Sequence, residues 1–247
     1  MRKAFLKRIF LLALVSCCYV VAGSTSITSS AQSDSPLVIV LTADGPISPA
    51  MAEYLSRGIE TAERRGAEAL IFQLNTPGGA VTTMNAMVQD ILASQVPVVV
   101  YVAPRGGMAA SAGTIITLAG HAAAMAPETM IGAASPVGGE GEDLGETMAA
   151  KEENALSATV RALAERRGSE AVALAERTIR EAAAASANEA LEIGLVDFIA
   201  RDLNDLLSQM DGFPVSLDGE TITLETANAQ VDHVSISFIE QLLLILT

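Results

Sequence analysis

Apolar residues gather in short unbroken runs separated by stretches of helical period, and this alternation predicts most of the elements. Leu37 to Leu41, Ala69 to Leu74 and Val98 to Val102 are continuous and rich in β-branched side chains. Such runs suit strands buried on both faces of a parallel sheet. Between them, Pro49 to Arg65 reads as a helix with Ser48 as N-cap and Gly66 at its close. A second helix starts at Thr82 or Thr83 and reaches Ser94. After the third strand, Ser111 to Leu118 is a short apolar helix, and Ala122 to Ala126 and Met130 to Ala133 are short strands. Ala134 to Ala150 breaks the pattern with four glycines and four acidic residues, and reads as a mobile loop. Helices are then predicted from Lys151 to Arg167, Ser169 to Ala185, Ala187 to Ile193 and Leu203 to Gln209. A hairpin joins Pro214–Leu217 to Thr221–Leu224 across Asp218-Gly219. Strands alternating with amphipathic helices define an α/β layered domain with a mainly parallel sheet.

The ends are patterned differently. Arg2, Lys3, Lys7 and Arg8 precede the apolar run Ile9 to Ala22, and a Ser/Thr-rich stretch follows, as in a secretory signal over residues 1–30. Uncut, the run would be a short anchor; Leu14-Val15-Ser16-Cys17 also resembles a lipoprotein cleavage box. All three readings export the domain. Both cysteines, Cys17 and Cys18, lie in this segment, so residues 36–230, read as the folded domain, have no thiol chemistry. Residues 231–247 form an apolar tail, either a last packing helix or the start of a transmembrane segment. Within the 247 residues only 4% are aromatic, so the core is built from Ala, Val, Ile, Leu and Met. The net charge of −14 argues against nucleic acid, whose phosphates need clustered Lys and Arg.

Candidate chemistry centres on Arg105-Gly106-Gly107-Met108-Ala109-Ala110-Ser111-Ala112-Gly113. This reads as a glycine turn delivering a serine to a helix start, where Ala112 N–H joins the unpaired donors. An ordinary N-cap is the competing reading of Ser111. Asn75-Thr76-Pro77-Gly78-Gly79 follows a strand at the carboxyl edge, where open α/β sheets carry their sites. Its paired glycines let backbone N–H groups approach a ligand, which makes Gly79, with Gly78, a candidate oxyanion donor; a plain turn is the alternative. Lys151 is the only lysine after Lys7. It could act as a base only if neutral, which needs burial or neighbouring positive charge; Glu152 and Glu153 oppose this, and a solvated lysine is the bland reading. His121 reads as a core or edge histidine, and His233 sits near the tail. No His/Cys/Asp spacing suggests a metal.

Taken in order, Leu74 to Gly79, Ala109 to Gly113, Met125-Ala126-Pro127 and Ile131-Gly132-Ala133 resemble the ClpP-like domain of NfeD-type membrane-bound serine proteases. The resemblance runs from about Val38 to Ala200, with Gly194-Leu195-Val196-Asp197 matching a late turn of the family. It implies the ClpP/crotonase fold and a Ser–Lys endopeptidase outside the cytoplasm, tethered to the membrane and needing no cofactor. Ser111 would be the nucleophile, Lys151 the general base, and Gly79 and Ala112 the oxyanion donors. Cytoplasmic ClpP enzymes use a histidine after the nucleophile helix, and Met130 to Ala133 has none, which favours the lysine. The family implies hydrophobic polypeptide substrates, stomatin-like membrane partners, and a homodimer or higher oligomer. Asn75 stands where the family often has Asp. Two other classes stay open: a non-catalytic scaffold of the same fold organising stomatin-like proteins, and a crotonase-type acyl-CoA enzyme, which export and the absence of a basic cluster argue against.

Overall fold

The computed structural model describes residues 35–137 and 145–246; the expected signal and part of the 134–150 loop lie outside the described residues. Three buried runs become neighbouring parallel strands: β1 (Leu37–Asp44), β2 (Ala69–Asn75) and β3 (Val98–Val102). With β5 (Ala122–Met125), β8 (Phe198–Ile199) and β11 (Gln230–His233) they form a six-stranded, wholly parallel sheet in the order β11-β1-β2-β3-β5-β8. Alternate side chains enter different cores. Ile39, Leu41, Val98 and Val100 pack on one face, and Val38, Val40, Val99 and Tyr101 on the other. That two-sided burial is why the strands read as unbroken apolar runs.

Helix α1 (Pro49–Arg64) shows how closely the sequence dictates a local element. Ser48 Oγ accepts from Met51 N–H and Pro49 opens the first turn. At its other end Gly66 N–H bonds Glu63 O and Ala67 N–H bonds Ala62 O, the paired bonds of a Schellman stop. Met51, Tyr54, Leu55, Ile59 and Ala62 are buried on one face. Helix α2 (Val81–Ala93) follows Ala80, not a capping threonine, since neither Thr82 nor Thr83 lies at the N-cap. Then come β4 (Met108–Ala110), α3 (Ala112–Ala119), β6 (Met130–Gly132), α4 (Glu146–Ala164) with a 3-10 turn at Glu165–Arg167, α5 (Ser169–Arg180), β7 (Ala184–Ser186), α6 (Ala187–Glu192), α7 (Leu203–Met210), the hairpin β9 (Pro214–Leu217) and β10 (Glu220–Thr223), and α8 (Phe238–Leu246). Strands β4, β6 and β7 form a second, small sheet, joined to the end of β2 by the Thr76–Ala109 bridge.

Several expectations are corrected. The expected loop Ala134 to Ala150 gives way to helix at Glu146, where an acidic side chain suits a helix N-terminus and Thr147 to Ala150 contain no breaker. Lys151 therefore sits in the second turn of α4 and does not open it. The helix expected to reach Ala185 stops at Arg180. Ala182 takes a positive φ of 51°, and Ala184 to Ser186 pair with β6, tertiary pairing outweighing the helix preference of an alanine run. The boundary expected at residue 230 coincides with the start of β11. Gln230 to His233 add to the edge of the main sheet, and α8 packs on α1. Arg57 Nε and Nη2 donate to the two Glu240 oxygens at 2.7 Å each, so the tail is fastened to the domain.

Candidate active site

The serine turn is built at the carboxyl edge of the sheet. At the end of β2, Thr76 continues the strand line and bridges to β4: its N–H donates to Met108 O at 2.7 Å, and its carbonyl accepts from Ala110 N–H at 3.0 Å. Asn75 closes the corner. Its Nδ2 donates to Asp44 Oδ1 at 3.2 Å while its Oδ1 accepts from Met108 N–H at 2.9 Å. An aspartate could not make the first of these bonds, so Asn75 ties the ends of β1 and β2 to the start of β4.

Ser111 then occupies φ 53°, ψ −121° between β4 and α3. For a residue with a Cβ this conformation costs about 1–3 kcal/mol and persists only where the surroundings impose it. Its N–H donates to Gly132 O at 2.9 Å and its carbonyl accepts from Thr114 N–H. The Thr114 hydroxyl lies 2.9 Å from Ala109 O and accepts from Gly132 N–H at 3.0 Å. The Ser111 side chain makes no cap hydrogen bond, and an ordinary N-cap has extended backbone and an accepting side chain. Ser111 has neither. It is a half-buried serine presented by a strained strand-to-helix turn, the geometry of a nucleophile elbow.

The two glycines serve different ends. A Cβ on Gly78 would fall 2.6 Å from Ser111 Cβ and 3.0 Å from its Oγ, and one on Gly79 would fall 2.3 Å from Ile47 O. Gly78 thus makes room for the serine, and Gly79 lets the Ile47 segment lie alongside. Gly78 N–H is engaged by Thr76 Oγ1 at 3.1 Å, whereas Gly79 N–H and Ala112 N–H donate to no acceptor among the described residues. Of the two glycines, the free donor is Gly79. Ala112 opens α3, so its N–H also carries the positive end of the helix dipole.

No side-chain hydrogen bond or ion pair joins Lys151 to this cluster among the described residues; its side chain is exposed on α4. Its helix does pack on α3, with Leu156 and Val160 buried. Of its acidic neighbours, Glu153 is turned toward Arg180 at 3.9 Å. Neither histidine joins the site. His121 is buried, with Nδ1 accepting from Val98 N–H at 3.0 Å. Burial first, then the Arg166 charge, lowers its pKa to about 4, so it is a neutral structural side chain. Sequence reading missed Thr76 and Thr114, which hold the turn. Only the position of Thr76, at a strand end before proline, offered a signal.

A six-stranded parallel sheet flanked by helices is the fold shared with ClpP-like proteins. ClpP1 from Listeria monocytogenes shares this fold with a TM-score of 0.55 at 20% identity, covering 68% of this chain and 94% of that one. The chain belongs to the family of NfeD1b N-terminal domains, whose model matches residues 37–214. It is 37% identical over 215 residues to the membrane-bound protease PH1510 of Pyrococcus horikoshii, covering 85% of this chain and 48% of that protein. It is 33% identical over 139 residues to the membrane protein NfeD1b of Bacillus subtilis, covering 56% of this chain and 29% of that protein. The chain therefore spans about half the length of the first of these relatives and less of the second. Among solved structures, a lysine-to-alanine mutant of the 1510-N membrane-bound stomatin-specific protease, in complex with a substrate peptide, has a TM-score of 0.79 at 34% identity, covering 86% of this chain and 98% of that one. A serine-to-alanine mutant of the same protease has a TM-score of 0.75 at 34% identity, covering 82% of this chain and 99% of that one.

Proposed function

We propose that this chain is an exported, membrane-associated serine endopeptidase that cleaves hydrophobic segments of stomatin-like membrane proteins. The observation that carries the reading is the strained Ser111, whose side chain makes no cap hydrogen bond, together with the free N–H groups of Gly79 and Ala112. Acyl transfer needs a nucleophile, a base and preorganised oxyanion donors. In this reading Lys151 Nζ takes the proton from Ser111 Oγ as Oγ adds to a peptide carbonyl. Gly79 and Ala112 N–H hold the oxyanion, the protonated lysine returns its proton to the leaving amine, and water releases the acyl group. The relatives support the pairing: the serine and lysine replaced in the 1510-N structures are separated by nearly the same number of residues as Ser111 and Lys151.

In this reading Lys151 reaches Ser111 from an exposed position on α4. That exposed position also favours a second reading, a scaffold of the same fold that cleaves nothing. Full-length protein in detergent, incubated with apolar peptides, separates the two. The protease reading expects cleavage by wild type and a loss of at least about 100-fold in both Ser111→Ala and Lys151→Ala. Undiminished cleavage by Ser111→Ala would overturn it. Folded wild type that neither cleaves nor labels with a fluorophosphonate would favour the scaffold.

A further inference from the structure

The outer edge of β1 is covered for only half its length. β11 pairs with Leu37 to Val40, and Val234 N–H still reaches Val40 O at 3.0 Å before the tail turns away. Even-numbered residues of β1 face β11 and odd-numbered ones face β2, so the next rung would run from Thr42 N–H to Val234 O. The Tyr54 hydroxyl stands in its place, accepting from Thr42 N–H at 3.2 Å and donating to Val234 O at 2.5 Å. Beyond this wedge, Thr42 C=O and Asp44 N–H point the same way and make no hydrogen bond among the described residues. A cavity of about 380 Å³ opens there, with Thr42 and Asp44 on one side, Ser235 and Ile236 on the other, and Met51 and Tyr54 of α1 completing it.

Open ladder groups beside a cavity are what an added strand uses: the backbone supplies the bonds, and alternate side chains fill the pocket. Charge narrows the choice of occupant. Asp44 is exposed, its carboxylate accepts from Asn75 Nδ2 alone, and no cation pairs with it among the described residues. The chain as a whole carries −14. The apolar flank is Met51 and Ile236. We propose that this slot binds an extended segment of a partner polypeptide, added as a strand to Thr42–Asp44, with a lysine or arginine beside Asp44 and an apolar side chain against Met51 and Ile236. Asp44 links the slot to the corner held by Asn75, and occupancy of the slot does not depend on cleavage.

The test is fluorescence anisotropy on the full chain carrying Ser111→Ala, with a labelled pentapeptide alternating valine and lysine. A glutamate version and a version N-methylated along its backbone serve as controls. Saturable binding is expected, about tenfold tighter for lysine than for glutamate, a difference of about 1.4 kcal/mol, and lost on N-methylation. Asp44→Asn should bring the lysine and glutamate affinities together. Ser235→Trp, which fills the slot from an exposed position, should abolish binding in protein whose circular dichroism is unchanged; should that variant not fold, Asp44→Asn carries the test alone. Absence of saturable binding, or a lysine preference that survives Asp44→Asn, would overturn the proposal.

Discussion

Gly78 offers the sharpest physical test of the serine turn. Replacing it with alanine has two costs that can be separated. Its φ of +117° is disfavoured for any residue with a Cβ, by about 1–2 kcal/mol. The new Cβ would also lie 2.6 Å from Ser111 Cβ, about 1 Å inside the optimum for two carbons. Ser111 cannot retreat freely, because its N–H is bonded to Gly132 and its carbonyl to Thr114. Overpacking of this kind costs about 1–3 kcal/mol, for a total of about 3 kcal/mol. At this chain length each kcal/mol lowers the melting temperature by about 2–4 °C, so Gly78→Ala should melt about 6–12 °C below wild type.

Gly106→Ala is the control. Its φ is +79°, and nothing lies within 4 Å of the added Cβ, so only the backbone cost remains, about 1–2 kcal/mol. The entropy that alanine removes from the unfolded chain is common to both variants and cancels in the comparison. Fluorophosphonate labelling of Ser111 supplies the second readout. A displacement of about 1 Å at a reacting atom costs on the order of 100-fold, so Gly78→Ala should label about 100-fold more slowly and Gly106→Ala within a few-fold of wild type. If the two variants match in both melting and labelling, the contact between Gly78 and Ser111 does not exist as described.

Three further predictions probe strain, the tail and the buried histidine. Ser111→Gly should be more stable than Ser111→Ala by about 1 kcal/mol, because glycine takes the positive φ without strain; denaturant melts of the two variants decide it. Arg57→Ala should cost about 2–4 kcal/mol by leaving Glu240, whose side chain is 3% exposed, without its partner. The Arg57 hydrogen bonds hold the Glu240 pKa below the usual carboxylate value of 4.5, so the stability this pair contributes is present above that value and lost as pH falls through the lowered folded value. Melts in acid should therefore show a wild-type loss below about pH 4.5 that Glu240→Gln lacks. His121 has a folded pKa of about 4 against 6.5 unfolded, so the unfolded chain takes up its proton first as pH falls. About 3 kcal/mol of stability should drain away between pH 6.5 and 4, and His121→Gln, titrated alongside, should flatten that part of the curve.

What the sequence made legible and what it hid divide by the range of the forces involved. The strands Leu37 to Leu41, Ala69 to Leu74 and Val98 to Val102 announce themselves because burial on both faces demands apolar residues at every position. Helix α1 does so because its cap, proline and stop glycine act within a few residues. The hairpin at Asp218-Gly219 is equally local, with both residues at positive φ. By contrast, β4, β7 and β11 are three or four residues long and exist only because a distant segment pairs with them; nothing in Ala184-Ala185-Ser186 distinguishes it from the helix before it. The site follows the same division. Ser111 and the two glycines were visible as a turn, but which glycine keeps a free N–H depends on Thr76, and that bond is an outcome of folding. The placing of Lys151 is the extreme case, since its relation to Ser111 depends on where α4 docks on α3, a contact between helices with 26 residues between them, from Ala119 to Glu146. A serine can be prepared by its own turn. A base supplied from another helix would depend on a tertiary contact, which no local pattern around Lys151 records.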